Sequence, residues 1–203
     1  GWFTDKAIST VPLGRLQAGE NHIEVIFPFS KTTNIEWCYL LGAFGVRCQG
    51  QHRNLIPMAK QLRFDSILHQ GLPHYGGNIA YHIPVNLTGN RLRVQIPDYD
   101  GTAIRVELQG QKSYIIYPPY QTVLEDLLPG QHTLQLTLLG NRSNCFGPVH
   151  MVDPQEPGSH PRTWHTTGEK WTEAYCLSPI GINRPPIIQE EYTPDALSSS
   201  IFI

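Results

Sequence analysis

Cysteine is scarce in this sequence and is not spaced for a metal or dithiol site. The chain of 203 residues has four cysteines, Cys38, Cys48, Cys145 and Cys176, and none forms a Cys-x-x-Cys pair. With 40% apolar residues, the chain can bury a core without disulfides. The spacing favours reduced, partly buried thiols and leaves two disulfides as the alternative for a secreted chain.

Charged residues are also few. They make up 16% of the chain, the formal net charge is −2, and the Lys and Arg residues are scattered along the sequence. A protein that follows a phosphate backbone needs clustered basic residues. The sequence therefore argues against nucleic acid as a partner.

Long apolar runs are missing. The longest extend over a few residues, which is far short of a membrane span, so we expect no membrane partner. The first residues, GWFTDK, are typical of neither a signal peptide nor a natural start. We expect the chain to be part of a longer protein.

Known catalytic motifs are missing as well. The sequence contains no Gly-x-Ser-x-Gly, no phosphate-binding loop and no Cys/His signature. Glycoside hydrolysis needs two carboxyl groups that face each other across the scissile bond, and no pattern selects such a pair. The carboxylates considered are Glu36, Asp65, Asp98, Asp100, Glu169 and Glu173. We therefore predict no catalytic residue and no cofactor in this chain.

Two groups of metal-ligating residue types do not complete a metal site. Asp98 and Asp100 lie in a DYDG sequence, but Ca²⁺ takes about six to eight oxygens, so a plain Asp-Gly turn is favoured. His150, His160 and His165 are irregularly spaced and lack a matching cysteine or carboxylate. The prediction is that the chain holds no metal.

What the sequence does have is turn residues and short β-prone runs. Seventeen prolines and eighteen glycines separate runs rich in Val, Ile, Leu, Tyr and Thr, a pattern typical of an all-β antiparallel sandwich. The predicted strands are His22 to Phe27, Ile35 to Leu40, Asn78 to Ile83, Arg91 to Ile96, Ala103 to Leu108, Ser113 to Tyr117, Thr133 to Leu139 and Thr172 to Leu177. Short helical turns are predicted within residues 13–19 and 120–130.

One phrase occurs twice. LGRLQAGENHIEVIFPF begins at Leu13 and LEDLLPGQHTLQLTLLG begins at Leu124, and in each a Gly is followed by alternating apolar residues. Both predict a tight turn that leads into a half-buried strand. The second copy follows several strands that can complete a sandwich, whereas the first copy follows almost nothing.

The repeat suggests a division of the chain into three parts. We expect residues 1–61 to form a partial β unit, residues 62–185 a complete sandwich, and residues 186–203 an extended tail. Residues 1–50 are not expected to fold alone. The predicted core consists of Ile23, Val25, Leu92, Val94, Ile104, Val106, Leu134, Leu136, Leu138 and Tyr175.

Several motifs together resemble a known family. LGRLQAGENHIEV, QGLPHYGGNIAYHIPV, NRSNCFGPVHMV and WTEAYCLSPIGI are similar to the galactose-binding-like jelly-roll domains of bacterial glycoside hydrolases, of the β-galactosidase and α-L-rhamnosidase types, and to uncharacterised glycoside-hydrolase-like proteins that carry them. The resemblance covers most of the chain from Trp2 to Ile182.

The resemblance implies a jelly roll that serves as a non-catalytic accessory module. Its partners would be other domains of the parent protein and, weakly, carbohydrate, and the isolated thiols favour the bacterial cytoplasm over secretion. One alternative is a hydrolase domain that contributes Asp or Glu to an active site. A second is a protein interaction module, in which IEWCYLLGAFGV exposes Trp37, Tyr39, Leu41 and Phe44.

Two loops carry the first candidate carbohydrate contacts. In SHPRTWHTTGEKW, Trp164 has little local reason to be buried, so its indole either stacks on a sugar or plugs the end of the sandwich, with Arg162 and His165 beside it as hydrogen-bond donors. In HQGLPHYGGN, Gln70 and Tyr75 either bind hydroxyl groups or pack on the rim.

A third loop, NRSNCFGPVH, adds two polar candidates. His150 and Asn144 either point towards a ligand or stabilise a crossover corner through backbone hydrogen bonds. A single histidine is more often a structural partner, so the second interpretation is favoured.

Overall fold

The fold is described from a computed structural model, which covers residues 1–33, 38–154, 156–157 and 160–191. The chain forms two compact units, Gly1–Leu41 and Gly42–Ile203. Part of the predicted strand from Ile35 to Leu40 lies outside the described residues. Glu36 and Trp37 belong to that part. Within the described residues, no helix is long and apolar enough to cross a membrane.

The first unit contains one described hairpin and mostly irregular chain. Strand β1 (Trp2–Phe3) pairs antiparallel with β2 (Asp5–Ser9). None of the described residues up to Leu41 is buried, and Ile23 and Val25 are 46% and 61% exposed.

Two predictions for this unit are wrong. Residues 22–27 are not a strand and residues 13–19 are not helical. The apolar alternation is present at Ile23 and Val25, but a strand is stable only with neighbours that complete its hydrogen bonds and cover its apolar face. The described part of this unit pairs no strand with residues 22–27.

The regular secondary structure of the second unit consists mostly of β-strands. They are β3 (Gly45–Gln49), β4 (His52–Ile56), β5 (Ile79–Leu87), β6 (Leu92–Gln95), β7 (Tyr99–Asp100), β8 (Ala103–Leu108), β9 (Gln111–Ile115), β10 (Gln121–Leu124), β11 (Gly130–Leu139), β12 (Gly181–Ile182) and β13 (Ile187–Glu190). Within the described residues of this unit, helical structure is limited to single turns, which are the 3₁₀ turns Ile67–Gln70 and Pro161–Thr163 and the short helix α1 (Ser143–Phe146).

Two antiparallel sheets share one core. The larger sheet has the order β5-β11-β8-β9, and the smaller has the order β10-β6-β13. The buried faces of both sheets contribute to a single apolar cluster, which contains Leu92 and Val94 from β6 and Leu134 and Leu136 from β11. Two further strand pairs, β3 with β4 and β7 with β12, lie outside these sheets. The predicted all-β, antiparallel class is confirmed.

Most of the predicted core is confirmed. The fully buried predicted residues are Leu92, Val94, Ile104, Val106, Leu134, Leu136 and Leu138. Tyr175 is only partly buried, and it lies in an irregular segment rather than in a strand. The prediction of Ile23 and Val25 as core residues is wrong, because no described strand pairs with residues 22–27 and covers their apolar face.

Two local predictions in this unit are also wrong. Residues 121–124 form β10 and not a helical turn, because they pair in register with β6 from Gln121 opposite Gln95 to Leu124 opposite Leu92. Residues 172–177 are not a strand, since their backbone bonds to loops. Thr172 N–H donates to His150 O over 2.9 Å, and Cys176 N–H donates to Val149 O over 2.8 Å.

The second unit extends beyond residues 62–185 at both ends. The β3–β4 hairpin precedes residue 62, and Val46 N–H donates to Gly71 O over 2.8 Å. After residue 185, β13 pairs with β6, and Ile188 packs against the core. The rest of the expected tail, from residue 192, lies outside the described residues.

Replacing Leu136 with Ala should reduce the free energy of unfolding by about 2 to 5 kcal/mol. Leu136 is completely buried between two paired strands, so its truncation leaves a cavity. Thr133→Ala, on the exposed face of the same strand, is the matched control. Urea unfolding followed by circular dichroism measures both variants, and equal, near-neutral effects would contradict the core assignment.

A peptide of residues 1–41 should show no cooperative melting. Its described residues bury no apolar side chain, so burial cannot offset the entropy of ordering the chain. Circular dichroism against temperature tests this, with the 42–203 fragment melted in parallel. A sigmoidal transition of the peptide alone would refute the expectation.

Candidate functional site

Side chains from several loops and one hairpin of the second unit contact one another. We call this group the histidine cluster, and its members are Cys48, Arg53, His74, His150, Trp171 and Tyr175. The β3–β4 hairpin supplies the first two, the loop after the first 3₁₀ turn supplies His74, and the segments around residues 150 and 171–175 supply the rest.

His74 lies between a thiol and a backbone carbonyl. Its Nδ1 is 2.8 Å from Asn144 O, and its Nε2 is 3.7 Å from Cys48 Sγ. A carbonyl oxygen can only accept a hydrogen bond, so Nδ1 carries the proton. The thiol therefore faces the other ring nitrogen.

The turn at α1 fixes this imidazole. The Asn144 side chain is 3% exposed, and its amide donates to Ser178 O over 2.8 Å and accepts from Ser178 N–H over 2.9 Å. Cys145 Sγ donates to His74 O over 2.7 Å. Both the ring and the backbone of His74 are thus held by one turn.

Aromatic and cationic groups pack around Tyr175. The His150 ring centroid is 4.5 Å from the Tyr175 centroid, and the Arg53 guanidinium carbon is 4.1 Å from it. His74 approaches at 5.8 Å, edge to face, and Trp171 is 6.3 Å from His150. The Tyr175 ring is therefore largely engaged by protein groups and offers little open face for stacking.

Burial keeps the thiol–imidazole pair neutral. Burial is the main cause that lowers the pKa of His74 below its ordinary 6.5, and it raises the pKa of the Cys48 thiol. The positive charge of Arg53 acts on both groups and partly opposes the effect of burial on Cys48. At neutral pH, the pair is a thiol beside an uncharged imidazole.

A second polar surface lies on the exposed face of the four-stranded sheet. We call it the outer sheet face, and its members are His82, Arg105, Glu107, Lys112, Tyr114 and Gln135. The register places Gln135 opposite both His82 and Glu107, and Arg105 opposite Tyr114. Strand alternation puts these side chains on the face opposite the core.

Hydrogen bonds connect the centre of the outer sheet face. Glu107 accepts from Arg105 Nε over 2.6 Å and from Gln135 Nε2 over 3.3 Å, and Lys112 Nζ lies 3.4 Å from it. Desolvation alone would raise the pKa of Glu107, but the hydrogen bonds and charges of Arg105 and Lys112 lower it overall. Glu107 is therefore ionised at neutral pH, and the network is ordered before any ligand binds.

Two residues predicted to bind sugar hydroxyls lie close to His74 in the chain. Gln70 is used by its own loop, since Arg63 N–H donates to its Oε1 over 2.7 Å and its Nε2 donates to Arg63 O and Asp65 O over 3.1 and 3.0 Å. Tyr75 is exposed, and its hydroxyl donates to Asn78 O over 3.2 Å.

The other predicted residues fall into two groups. Asn144 and His150 are linked through His74 and Tyr175, and His150 Nδ1 lies 3.1 Å from Thr172 O. Trp164 follows the 3₁₀ turn Pro161–Thr163 and is half-buried, and Arg162 and His165 beside it are exposed. The structure brings the first pair together and leaves Trp164, Arg162 and His165 on a separate segment.

Sequence reasoning missed the Cys48–His74 pair and the outer sheet face. The pair joins positions 26 residues apart, and its orienting carbonyl is 70 residues from His74, so no local spacing marks it. The outer sheet face did leave a signal. Polar residues alternate with the buried residues in β8 and β11, and this alternation predicts a polar face. Only the core residues of these strands were predicted from the sequence.

Neither of the groups considered for metal binding is assembled into a site. Among the described residues, no three His, Cys, Asp or Glu side chains are grouped to hold a metal ion. Asp100 instead accepts from Asn183 Nδ2 over 2.8 Å, and Asp98 lies 4.0 Å from Arg184. Four free cysteines are present, with Cys38 exposed and the others half-buried.

Comparison with known proteins returns no family model, no curated protein and no solved structure that matches this chain.

Replacing Asn144 with Ala should destabilise the second unit by about 1 to 3 kcal/mol, because it leaves the part-buried backbone N–H and C=O groups of Ser178 without these hydrogen-bond partners. Ser143→Ala, at an exposed neighbouring position, should change stability by less than about 0.5 kcal/mol. Chemical denaturation of both variants measures the difference. Equal stabilities would show that the Asn144 amide does not fix the turn.

Proposed function

We propose that this chain is a non-catalytic accessory module of a larger glycoside hydrolase, with a jelly-roll β-sandwich that binds carbohydrate weakly. Two antiparallel sheets around one core are compatible with that fold, and the sequence resemblance to galactose-binding-like domains supplies the setting. The fold alone does not assign a ligand. The proposal therefore depends on a surface suited to sugars.

The outer sheet face is the observation that carries the proposal. Sugars are bound by planar amide, guanidinium and carboxylate groups next to an aromatic ring. Glu107, Arg105 and Gln135 provide such groups in one connected network, and Tyr114, opposite Arg105, is 52% exposed. A ligand on this face would meet a phenol ring and groups that are already oriented.

The Trp164 segment is the second surface considered for the same function. A half-buried indole beside the exposed Arg162 and His165 is compatible with a sugar platform, and it is equally compatible with a packing role. Tyr75 and Gln70 contribute less, since the Gln70 amide already bonds its own loop.

Titration of the full chain with galactose, rhamnose, glucose and xylose oligomers tests the function. We expect a dissociation constant near the millimolar range, about 4 kcal/mol, because a single ring and a few hydrogen bonds form the site. Tyr114→Ala should weaken binding by about tenfold. Chemical-shift changes in ¹H–¹⁵N spectra and calorimetry are the readouts.

Two further variants locate the site. Tyr117→Ala removes a tyrosine that is more exposed than Tyr114 and lies outside the network, so it should leave binding unchanged. Trp164→Ala should also leave it unchanged if the outer sheet face binds; a loss confined to Trp164→Ala would move the site to that segment. Binding of none of the oligomers would refute carbohydrate recognition, and release of aryl glycoside product by the chain would refute a non-catalytic role.

A further inference from the structure

Cys48 and His74 have the arrangement of a nucleophile and its base. The thiol is 3.7 Å from Nε2, and Nδ1–H donates to Asn144 O over 2.8 Å. In a neutral imidazole protonated at Nδ1, the lone pair is on Nε2. The Cys48 S–H therefore points its proton at a group that can accept it.

The base is held in place by groups that do not titrate. The Asn144 carbonyl orients the ring, and the Asn144 side chain is itself fixed by two hydrogen bonds to the Ser178 backbone. Holding the base in this way keeps Nε2 directed at the thiol without any rearrangement.

Arg53 supplies positive charge beside the sulfur. It is directly opposite Cys48 in the β3–β4 register, so both side chains lie on the same face of the hairpin. Its guanidinium is also held over the Tyr175 ring. A cation in this position favours the negative charge that develops on sulfur and on a leaving oxygen during attack.

Cys145 provides a comparison within the same chain. Its thiol also donates a hydrogen bond to His74, but to the backbone oxygen, which cannot take up the proton. Cys48 and Cys145 are both half-buried, and burial raises the pKa of both thiols. A difference in their reactivity would thus reflect the imidazole rather than access alone.

We propose that Cys48 is a nucleophilic thiol that His74 deprotonates during attack, and that it is a modification site for small hydroperoxides. The sulfur attacks one peroxide oxygen, an S–O bond forms and the O–O bond breaks. The thiol proton passes through His74 Nε2 to the departing oxygen. With hydrogen peroxide, the products are a cysteine sulfenic acid and water, and the peroxide is the oxidant.

Site-resolved labelling of the full chain tests the proposal. Limiting iodoacetamide is added to the folded protein, and each cysteine is quantified by mass spectrometry over time. Cys48 should be alkylated at least about tenfold faster than Cys145, given the usual contribution of a positioned base. With hydrogen peroxide and dimedone, the sulfenic acid adduct should form at Cys48 before Cys145.

His74→Asn separates the base from the structural role of the ring. The Asn amide retains a donor near the Nδ1 position for Asn144 O but has no group at Nε2. This variant should slow Cys48 labelling by about tenfold or more and leave Cys145 labelling and the melting temperature unchanged. If the substitution only loosened the loop, labelling of both cysteines would rise, which would overturn the proposal.

The pH dependence gives an independent readout. The charged and titratable groups beside the pair include Arg53 on β4, Tyr175 in the 171–175 segment and Cys145 next to α1. Because burial lowers the pKa of His74 below its ordinary 6.5, the ring is mostly neutral from pH 8 to 6.5, so Cys48 labelling should change little over that range and fall at lower pH as the ring becomes protonated. Free N-acetylcysteine should slow about tenfold per pH unit over that range. A Cys48 profile parallel to that of the free thiol, or Cys48 labelling no faster than Cys145, would refute activation by His74.

Discussion

The pairing of β11 on both of its edges is the constraint on which the second unit depends. This strand is hydrogen-bonded to β5 along nearly its whole length and to β8 along its second half. Its inward residues, Leu134, Leu136 and Leu138, are completely buried. Its outward Gln135 bonds to Glu107 on the neighbouring strand. The same ladder thus creates the core on one face and orders the polar network on the other.

The end of β11 also determines where the histidine cluster forms. Thr102 N–H donates to Leu139 O over 2.9 Å, and Gly140 N–H donates to Asn78 Oδ1 over 3.2 Å. Gly140 lies against the backbone of Gly77, where a Cβ would be 2.3 Å from the carbonyl oxygen. A side chain at position 140 would therefore push the chain away from the His74 loop. Because these two segments lie so close together, the α1 turn, which follows Gly140 by a few residues, lies beside His74.

The two copies of the repeated phrase show how much of the fold could be predicted from the sequence. Alternation at Leu134, Leu136 and Leu138 gave a correct strand and a correct core, because paired strands lie on both sides. The same alternation at Ile23 and Val25 gave a wrong strand, because no described neighbour covers it. Periodicity reports which residues could share a face, and long-range pairing decides whether that face is buried.

The helical prediction for residues 120–130 failed for a related reason. Gln121 to Leu124 are compatible with either state locally, and the register with β6 selects the strand. The roles of loop residues were harder still to predict from the sequence. Gln70 was considered as a ligand contact, yet its amide closes its own loop, and only the folded backbone shows which carbonyls lie within reach.

The identity of the group that orients His74 limits the chemistry open to Cys48. A carboxylate at Nδ1 would stabilise the imidazolium and favour a preformed thiolate–imidazolium ion pair. The Asn144 carbonyl orients the ring and raises its pKa less than burial lowers it. The resting pair therefore stays neutral, and charge separation must occur during attack, when Arg53 can stabilise the negative charge on sulfur. A thiol of this kind reacts only while the loop holds the base against it, so that whatever moves the α1 turn also moves the base.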